Sequence, residues 1–304
     1  MNQSNTTPPQ YKHAANRYLC IGHACHDLLD GKNILGGCTS YSSLVARQLG
    51  MDTAVLTSVG NDFEFLETFK SKGIHFFNKK ALKTTVFENI YQGTHRTQYI
   101  HARSETLFAE DVPAEWRNAD IVQIGLIADE ADFGIFKVFP KDVLIGATIQ
   151  GWLRQWDKDG KVSPKAMDWS QLAAADVVIM SDADIQGFEE AIPLIASYVK
   201  VLVMTQGADG AVVFYENEQH HFPSYPVKEV DSTGAGDVFT AAFLVKYAQT
   251  RDIALATGYA HAAASFVVEG VGINNLATLE QIEERFQNYE LGIRNGFAPL
   301  SILR

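Results

Sequence analysis

The chain has 304 residues, 46% hydrophobic and 20% charged, with a net charge of -11 at neutral pH, the make-up of a soluble globular protein built as one large α/β domain or two ordinary ones. The acidic balance and the dispersed lysines and arginines exclude nucleic acid as a habitual partner, and no apolar run approaches the length of a membrane-spanning helix. The start, MNQSNTTPPQYKH, is polar where a secretory leader would be apolar, and three cysteines (Cys20, Cys25, Cys38) are too few for a disulfide framework, which fits a reducing cytoplasm.

In chain order, residues 1–16 read as a loose tail, and short β-rich runs follow at 18–22, 53–59, 120–125, 142–147, 176–180 and 199–205. Amphipathic helical segments at 39–50 and 62–73 each end at a glycine. Such alternation predicts a mostly parallel sheet covered by helices on both faces. Two stretches break the rhythm. Residues 84–101 predict a hairpin around Gln92-Gly93, and 210–230 a second antiparallel stretch. Helices follow at 235–249, 252–269 and 278–289. There is no internal repeat or low-complexity linker, so a single domain over 17–304 with a small β appendage is expected.

The most informative segment is DSTGAGD, 231–237, which runs straight into the apolar helix. A glycine-rich helix entrance leaves backbone N–H groups open to an anion. Asp237 in the first turn would repel a phosphate unless it takes a proton beside one, as transfer of a phosphoryl group to a hydroxyl requires. A second glycine pair, Gly36-Gly37, opens the helix of GGCTSYSSLVARQLG.

GG at a helix start, then a strand and VGND, then Thr205-Gln206-Gly207 after a late strand, and finally DSTGAGD together resemble the ribokinase-like (PfkB) family of carbohydrate kinases, over roughly 17–290. Within that family GHACHDLL (22–29), GLIADEAD (125–132) and IQGWLRQWDKDG (149–160) are similar to the plant-type myo-inositol kinase branch. The resemblance implies a three-layer α/β fold with a small β lid from about 28–36 and 84–104. It implies ATP and Mg2+, and in some members a monovalent cation. It implies Asp237 as catalytic base and Gly234, Ala235 and Gly236 as the anion hole. Asp27, Gly36 and Gly37 would border the acceptor, and Thr205, Gly207 and Gly210 the nucleotide. The partner is then a small sugar, polyol or nucleoside, and a homodimer through the lid is expected.

The chain departs from the family in two places. Ser181-Asp182-Ala183-Asp184 stands where Asn-x-x-Glu is usual, leaving Asp184 to order metal-bound waters through a shorter arm. His261 occupies an alanine-rich helix where an asparagine often lines the adenine site; it either meets the nucleotide or packs among the alanines. Glu130, Gln150 and Arg154 either read acceptor hydroxyls or are surface groups. Cys20, His23, Cys25 and His26 crowd one strand, whose alternating faces keep them from converging on one zinc ion. His220-His221 reads as solvated. The chain lacks GxxxxGK[ST], HExxH and GxSxG. The expected function is kinase chemistry on a myo-inositol-like polyol. A nucleoside or ribose kinase is the alternative within enzymes, and a sugar- or nucleotide-sensing protein of the same fold the alternative outside them.

Overall fold

A computed structural model describes residues 16–92 and 95–294; the expected tail, apart from Asn16, and the Gly93 turn lie outside them. The chain runs β1 (Arg17–Ile21), β2 (Cys25–Leu29), β3 (Lys32–Gly36), α1 (Cys38–Gln48), β4 (Asp52–Val59), α2 (Leu66–Ser71), β5 (His75–Lys80), β6 (Thr85–Gln92) and β7 (His95–Ala102). After short 3-10 turns come β8 (Ile121–Gly125), β9 (Leu144–Thr148), β10 (Arg154–Trp156), β11 (Val162–Pro164), β12 (Val177–Ser181), α3 (Ile192–Tyr198), β13 (Val201–Thr205), β14 (Ala211–Tyr215) and β15 (Glu218–Phe222). Three helices close the chain: α4 (Ala235–Thr250), α5 (Ile253–Val267) and α6 (Leu279–Arg294).

The nine-stranded sheet has the order β15-β14-β13-β12-β9-β8-β1-β4-β5, with β14 antiparallel to both its neighbours and every other pair parallel. The order reverses at β1, so the crevice between β1 and β8 is a topological switch point, where sheets of this kind take ligands at their carboxyl ends. Alternation along β1 sends Tyr18 and Cys20 to one face and Leu19 and Ile21 to the other. The first face packs on α1, α4 and α5. Val238 to Val245 in α4 are all buried, so that helix is apolar on every side. The second face is covered by α3, by 3-10 turns carrying Trp116 and Phe136, and by Trp152 in the turn after β9.

The lid is a four-stranded sheet, β3-β2-β6-β7, in which β2 runs parallel to β6. It begins earlier than the expected 28–36, because Cys25 and Asp27 already belong to β2. The two-stranded β10–β11 ladder is tied to it where Ile100 N–H donates to Gly160 O at 2.8 Å.

Three expectations are corrected. The helix over 62–73 shrinks to α2, because the Asp62 carboxylate caps the backbone and hydroxyl of Thr84 (3.0 and 2.8 Å) instead of starting a helix. HFFNKK forms β5, an unexpected edge strand beside β4. Only 211–222 of the 210–230 stretch is strand.

Candidate active site

A cleft of about 380 Å³ opens at the carboxyl ends of the central strands, between the sheet and the lid. Asp27 and Phe87 come to it from the lid, Gln150 and Arg154 from the segment after β9, Asp184 and Thr205 from the far strands, and Gly234 to Asp237 from the entrance of α4. Three separated sequence motifs therefore meet in one space.

Gly234 caps α4 with φ of 81°, in the left-handed region that only glycine enters cheaply, and a Cβ there would also run into the Tyr41 ring. That turn aims the first N–H groups of α4 into the cleft. The Ala235 N–H already donates to Ser232 O at 3.1 Å, so an anion would share it; Gly236 and Asp237 sit in the first turn, whose N–H groups have no carbonyl four residues back. A Cβ on Gly236 would meet open space.

Asp237 is partly open to the cleft but surrounded by protein. Burial pushes its carboxyl up to about 6, Asp184 and Asp27 push the same way, and a hydrogen bond from the Cys38 thiol and the Arg154 charge work against them. A carboxylate that titrates near neutrality is suited to accept and release a proton. Arg154 donates to Ile127 O at 2.9 Å and lies over the Phe87 ring at 5.5 Å, which fixes its charge over the cleft.

On the acceptor side, Asp27 stands on β2, and Gly36 gives it room: a Cβ at 36 would collide with its carboxylate. Gly37 and Gln150 line the cleft, whereas Gly36 supports it from behind. Sequence reading missed Asn89 and Gln98, which line the cleft from adjacent lid strands with Gln98 Nε2 donating to Asn89 Oδ1 at 2.9 Å. The two-residue spacing Phe87-Asn89 on β6 was the signal available for them. It missed Cys38, which directly follows the Gly36-Gly37 pair, and Thr148, which no motif marks.

Glu130 takes a different place. It is fully buried outside the cleft lining, and its oxygens accept the N–H groups of His23 (2.9 Å), Ile127 (2.9 and 3.0 Å) and Ala128 (2.6 Å). A carboxylate so occupied braces the 127–130 turn and has no lone pair turned to an acceptor.

On the donor side, Thr205 and Gly207 line the cleft, but Gly210 does not. With φ of 98° and no room for a Cβ beside Phe222 O, Gly210 shapes the β13–β14 connection. His261 is 6% exposed and outside the cleft lining, edge-on to Phe239 at 5.0 Å, and burial holds its pKa down at about 4, so it packs as a neutral ring. Among the described residues no cluster of three or more His, Cys, Asp or Glu side chains gathers for a metal. Asp184 nonetheless fits a hard cation held through water, because its oxygens face the cleft with lone pairs to spare beyond the bonds from Gln150 Nε2 (2.9 Å) and the Ser181 N–H (2.9 Å). No helix of the described residues is long and apolar enough to cross a membrane.

Residues 165–279 match the model of the pfkB family carbohydrate kinases. Ribokinase of Bacillus subtilis is 38% identical over 91 residues, which is 30% of this chain and 31% of that one, so the matched part spans about a third of that relative. Inositol 3-kinase of Arabidopsis thaliana is 23% identical over 289 residues, 89% of this chain and 80% of that one. The structure of a pyrophosphate-dependent kinase of the ribokinase family, complexed with a pyrophosphate analog and myo-inositol, superposes with a TM-score of 0.74 at 22% identity, covering 88% of this chain and 99% of that one. A mostly parallel sheet with a small β lid, a glycine-rich helix entrance ending in Asp237, and these likenesses together place residues 165–279 in the pfkB family of carbohydrate kinases and give the chain the ribokinase fold.

Proposed function

We propose that the protein transfers a terminal phosphoryl group from ATP, with Mg2+, to a hydroxyl of a small polyol such as myo-inositol. The observation that carries this reading is that one cleft joins the Asp27 carboxylate to the glycine-rich entrance of α4, whose own carboxylate, Asp237, is pushed up to about 6 by burial.

In this mechanism Asp27 accepts hydrogen bonds from acceptor hydroxyls and orients one of them toward Asp237. Asp237 takes that hydroxyl's proton as its oxygen attacks the terminal phosphorus, and the bond from phosphorus to the bridging oxygen breaks. The first N–H groups of α4 receive the charge gathering on the transferred group, whose equatorial oxygens carry most of it. Mg2+ held through water by Asp184 would screen the donor's phosphates. The lid excludes water, which would otherwise compete as the acceptor. Arg154 and the polar lid pair Asn89–Gln98 give the acceptor pocket several donors and acceptors, which suits a molecule rich in hydroxyls. A nucleoside would need an aromatic or aliphatic slot; Tyr41 and Phe87 line the cleft with only 1% and 3% of their surface exposed, which favours a polyol, and the side chain of Tyr91 lies outside the described residues.

Pyrophosphate as donor is a second reading, favoured by one observation. The cleft lining reaches Asp184, Thr205 and Gly207 and ends there, with no residue of 208–231 or 251–276, a reach that matches a short phosphate donor. Solved proteins of this fold hold ATP and Mg2+ in one case and a pyrophosphate analog in another. A panel of polyols, sugars and nucleosides assayed with each donor in turn tests the proposal. Turnover of myo-inositol above all other acceptors supports it; preference for a nucleoside overturns the polyol assignment. Tight binding without turnover of any pair means a sensing protein.

A further inference from the structure

Beneath the floor of the cleft lie Tyr18 on β1, Gln123 on β8, and Cys38 and Ser42 on α1, all at most 2% exposed. Buried polar side chains in the middle of central strands are costly unless every one is paired. These are paired in a single direction. The Tyr18 hydroxyl donates to Gln123 Oε1, which fixes the orientation of the amide. Gln123 Nε2 then donates both its hydrogens, to Cys38 Sγ at 3.2 Å and to Ser42 Oγ at 2.9 Å. Because both groups accept from Gln123, their own hydrogens point elsewhere; Cys38 Sγ has Ser42 Oγ at 3.7 Å and Thr148 Oγ1 at 3.9 Å within reach besides the neighbouring Asp237. Ser42 Oγ donates to the Asp237 backbone carbonyl at 3.0 Å. Cys38 lines the same cleft wall as Asp237, with its thiol beside the carboxylate and placed to donate to it. Space for the sulfur is made by Gly125, since a Cβ there would collide with Cys38 Sγ. Four buried groups from three elements therefore converge on the two ends of one residue.

Resting on the reading of Asp237 as the base, we propose that Tyr18, Gln123, Cys38 and Ser42 are positioning residues, a chain of hydrogens of fixed direction that holds the Asp237 backbone and carboxylate at the angle proton transfer needs. The thiol matters here as a donor of modest strength. It orients one carboxylate oxygen without taking over the lone pair that must receive the acceptor's proton. The arrangement leaves Gln123 as the hub, because it alone touches the hydroxyl behind and both donors in front.

The test separates positioning from packing. Cys38→Ala should lower kcat about tenfold or more while the KM values of donor and acceptor stay within about twofold, since a misaimed base loses rate and not binding. Cys38→Ser restores the donor in nearly the same volume and should recover about half of the wild-type kcat or better. An arm independent of turnover uses the infrared S–H stretch of Cys38, assigned as the band absent from Cys38→Ala, with Cys20 and Cys25 as internal references. That band should move in Asp237→Ala, which removes its acceptor, and in the double variant Tyr18→Phe, Gln123→Met, which removes the hub without leaving the tyrosine hydroxyl unpaired. A Cys38→Ala enzyme with kcat within about twofold of wild type, a serine variant no faster than the alanine one, or an unmoved Cys38 band in Asp237→Ala would each overturn the proposal. If the wild type phosphorylates nothing, the functional reading fails and the infrared arm still decides the positioning.

Discussion

Gln150 Nε2 donates to Asp184 Oδ1 at 2.9 Å, which joins the segment after β9 to the carboxylate that follows β12 across the cleft. The Asp184 side chain also accepts from the Ser181 N–H at 2.9 Å, while the Asp184 backbone N–H donates to Ser181 Oγ at 3.1 Å. The short arm of Asp184, compared with the glutamate usual in the family, is thus held in place by two neighbours. Gln150→Leu releases one of its oxygens. The expected outcome is a several-fold rise in the Mg2+ concentration needed for half-maximal turnover together with a rise in acceptor KM, measured by titrating Mg2+ at saturating donor. An unchanged Mg2+ curve would mean that the contact does not couple the two halves of the site.

Asp237→Asn preserves shape and removes the proton acceptor, so kcat should fall by about 10² to 10⁴ while donor binding, followed by calorimetry, is retained. The pH behaviour follows from the raised carboxyl. In the unfolded chain Asp237 ionises near its ordinary value, about 4, whereas in the folded protein it does so at about 6. Between those values the folded state binds the extra proton, so this residue's contribution to stability is present at the acidic end and is lost as pH rises from about 4 to about 6. Urea denaturation should find Asp237→Asn more stable than wild type at pH 7 by about 1–3 kcal/mol, with the gain shrinking toward pH 4. The kcat/KM profile of the wild type should drop on its acid side near pH 6, and that limb should be gone from the residual activity of the variant.

Asp27→Ala should raise the KM of the acceptor far more than that of the donor. Removing single hydroxyls from myo-inositol should cost about 1–3 kcal/mol each at positions the pocket pairs, because the pocket's own polar groups are then left buried and unsatisfied. Steady-state kinetics with singly deoxygenated inositols reads this directly; uniform tolerance of every analogue would remove Asp27 and its neighbours from recognition.

Glu130 is expected to reveal itself through stability. Its carboxylate accepts only backbone N–H groups, so Glu130→Gln turns an amide hydrogen toward donors that need an acceptor, at a cost of about 2–4 kcal/mol. Denaturation of the purified variant should give that loss, with acceptor KM in the folded fraction nearly unchanged. A large KM effect without loss of stability would return Glu130 to the acceptor site.

Closure of the lid is accessible to hydrogen exchange. Amides of Thr85–Gln92 and His95–Ala102 should exchange more slowly when acceptor and a non-hydrolysable donor analogue are both bound. Protection unchanged by saturating ligands would make the hairpin a fixed wall.

The sequence by itself determined the parts that depend on local conformation. DSTGAGD specifies a left-handed glycine, a helix entrance and a carboxylate in its first turn, and those demands are set within seven consecutive residues. The parallel sheet was legible in the alternation of apolar runs with helical segments, and the hairpin in the period of two along 84–101. Tertiary structure decided what depends on which strand ends lie together. Glu130 and Gln150 both follow central strands and looked alike as acceptor readers, yet one is drawn inward by three backbone N–H groups and the other meets Asp184 across the cleft. His261 sits at a helical position that permits contact with a nucleotide, but the face of α5 that bears it turns toward Phe239. Cys38 follows the Gly36-Gly37 pair with nothing local to mark its role, Gln123 carries no motif, and the two lie 85 residues apart. Only the adjacency of β1 and β8 beneath α1 brings them under Asp237, because a buried polar side chain takes its role from the partner it finds and not from its neighbours in the chain.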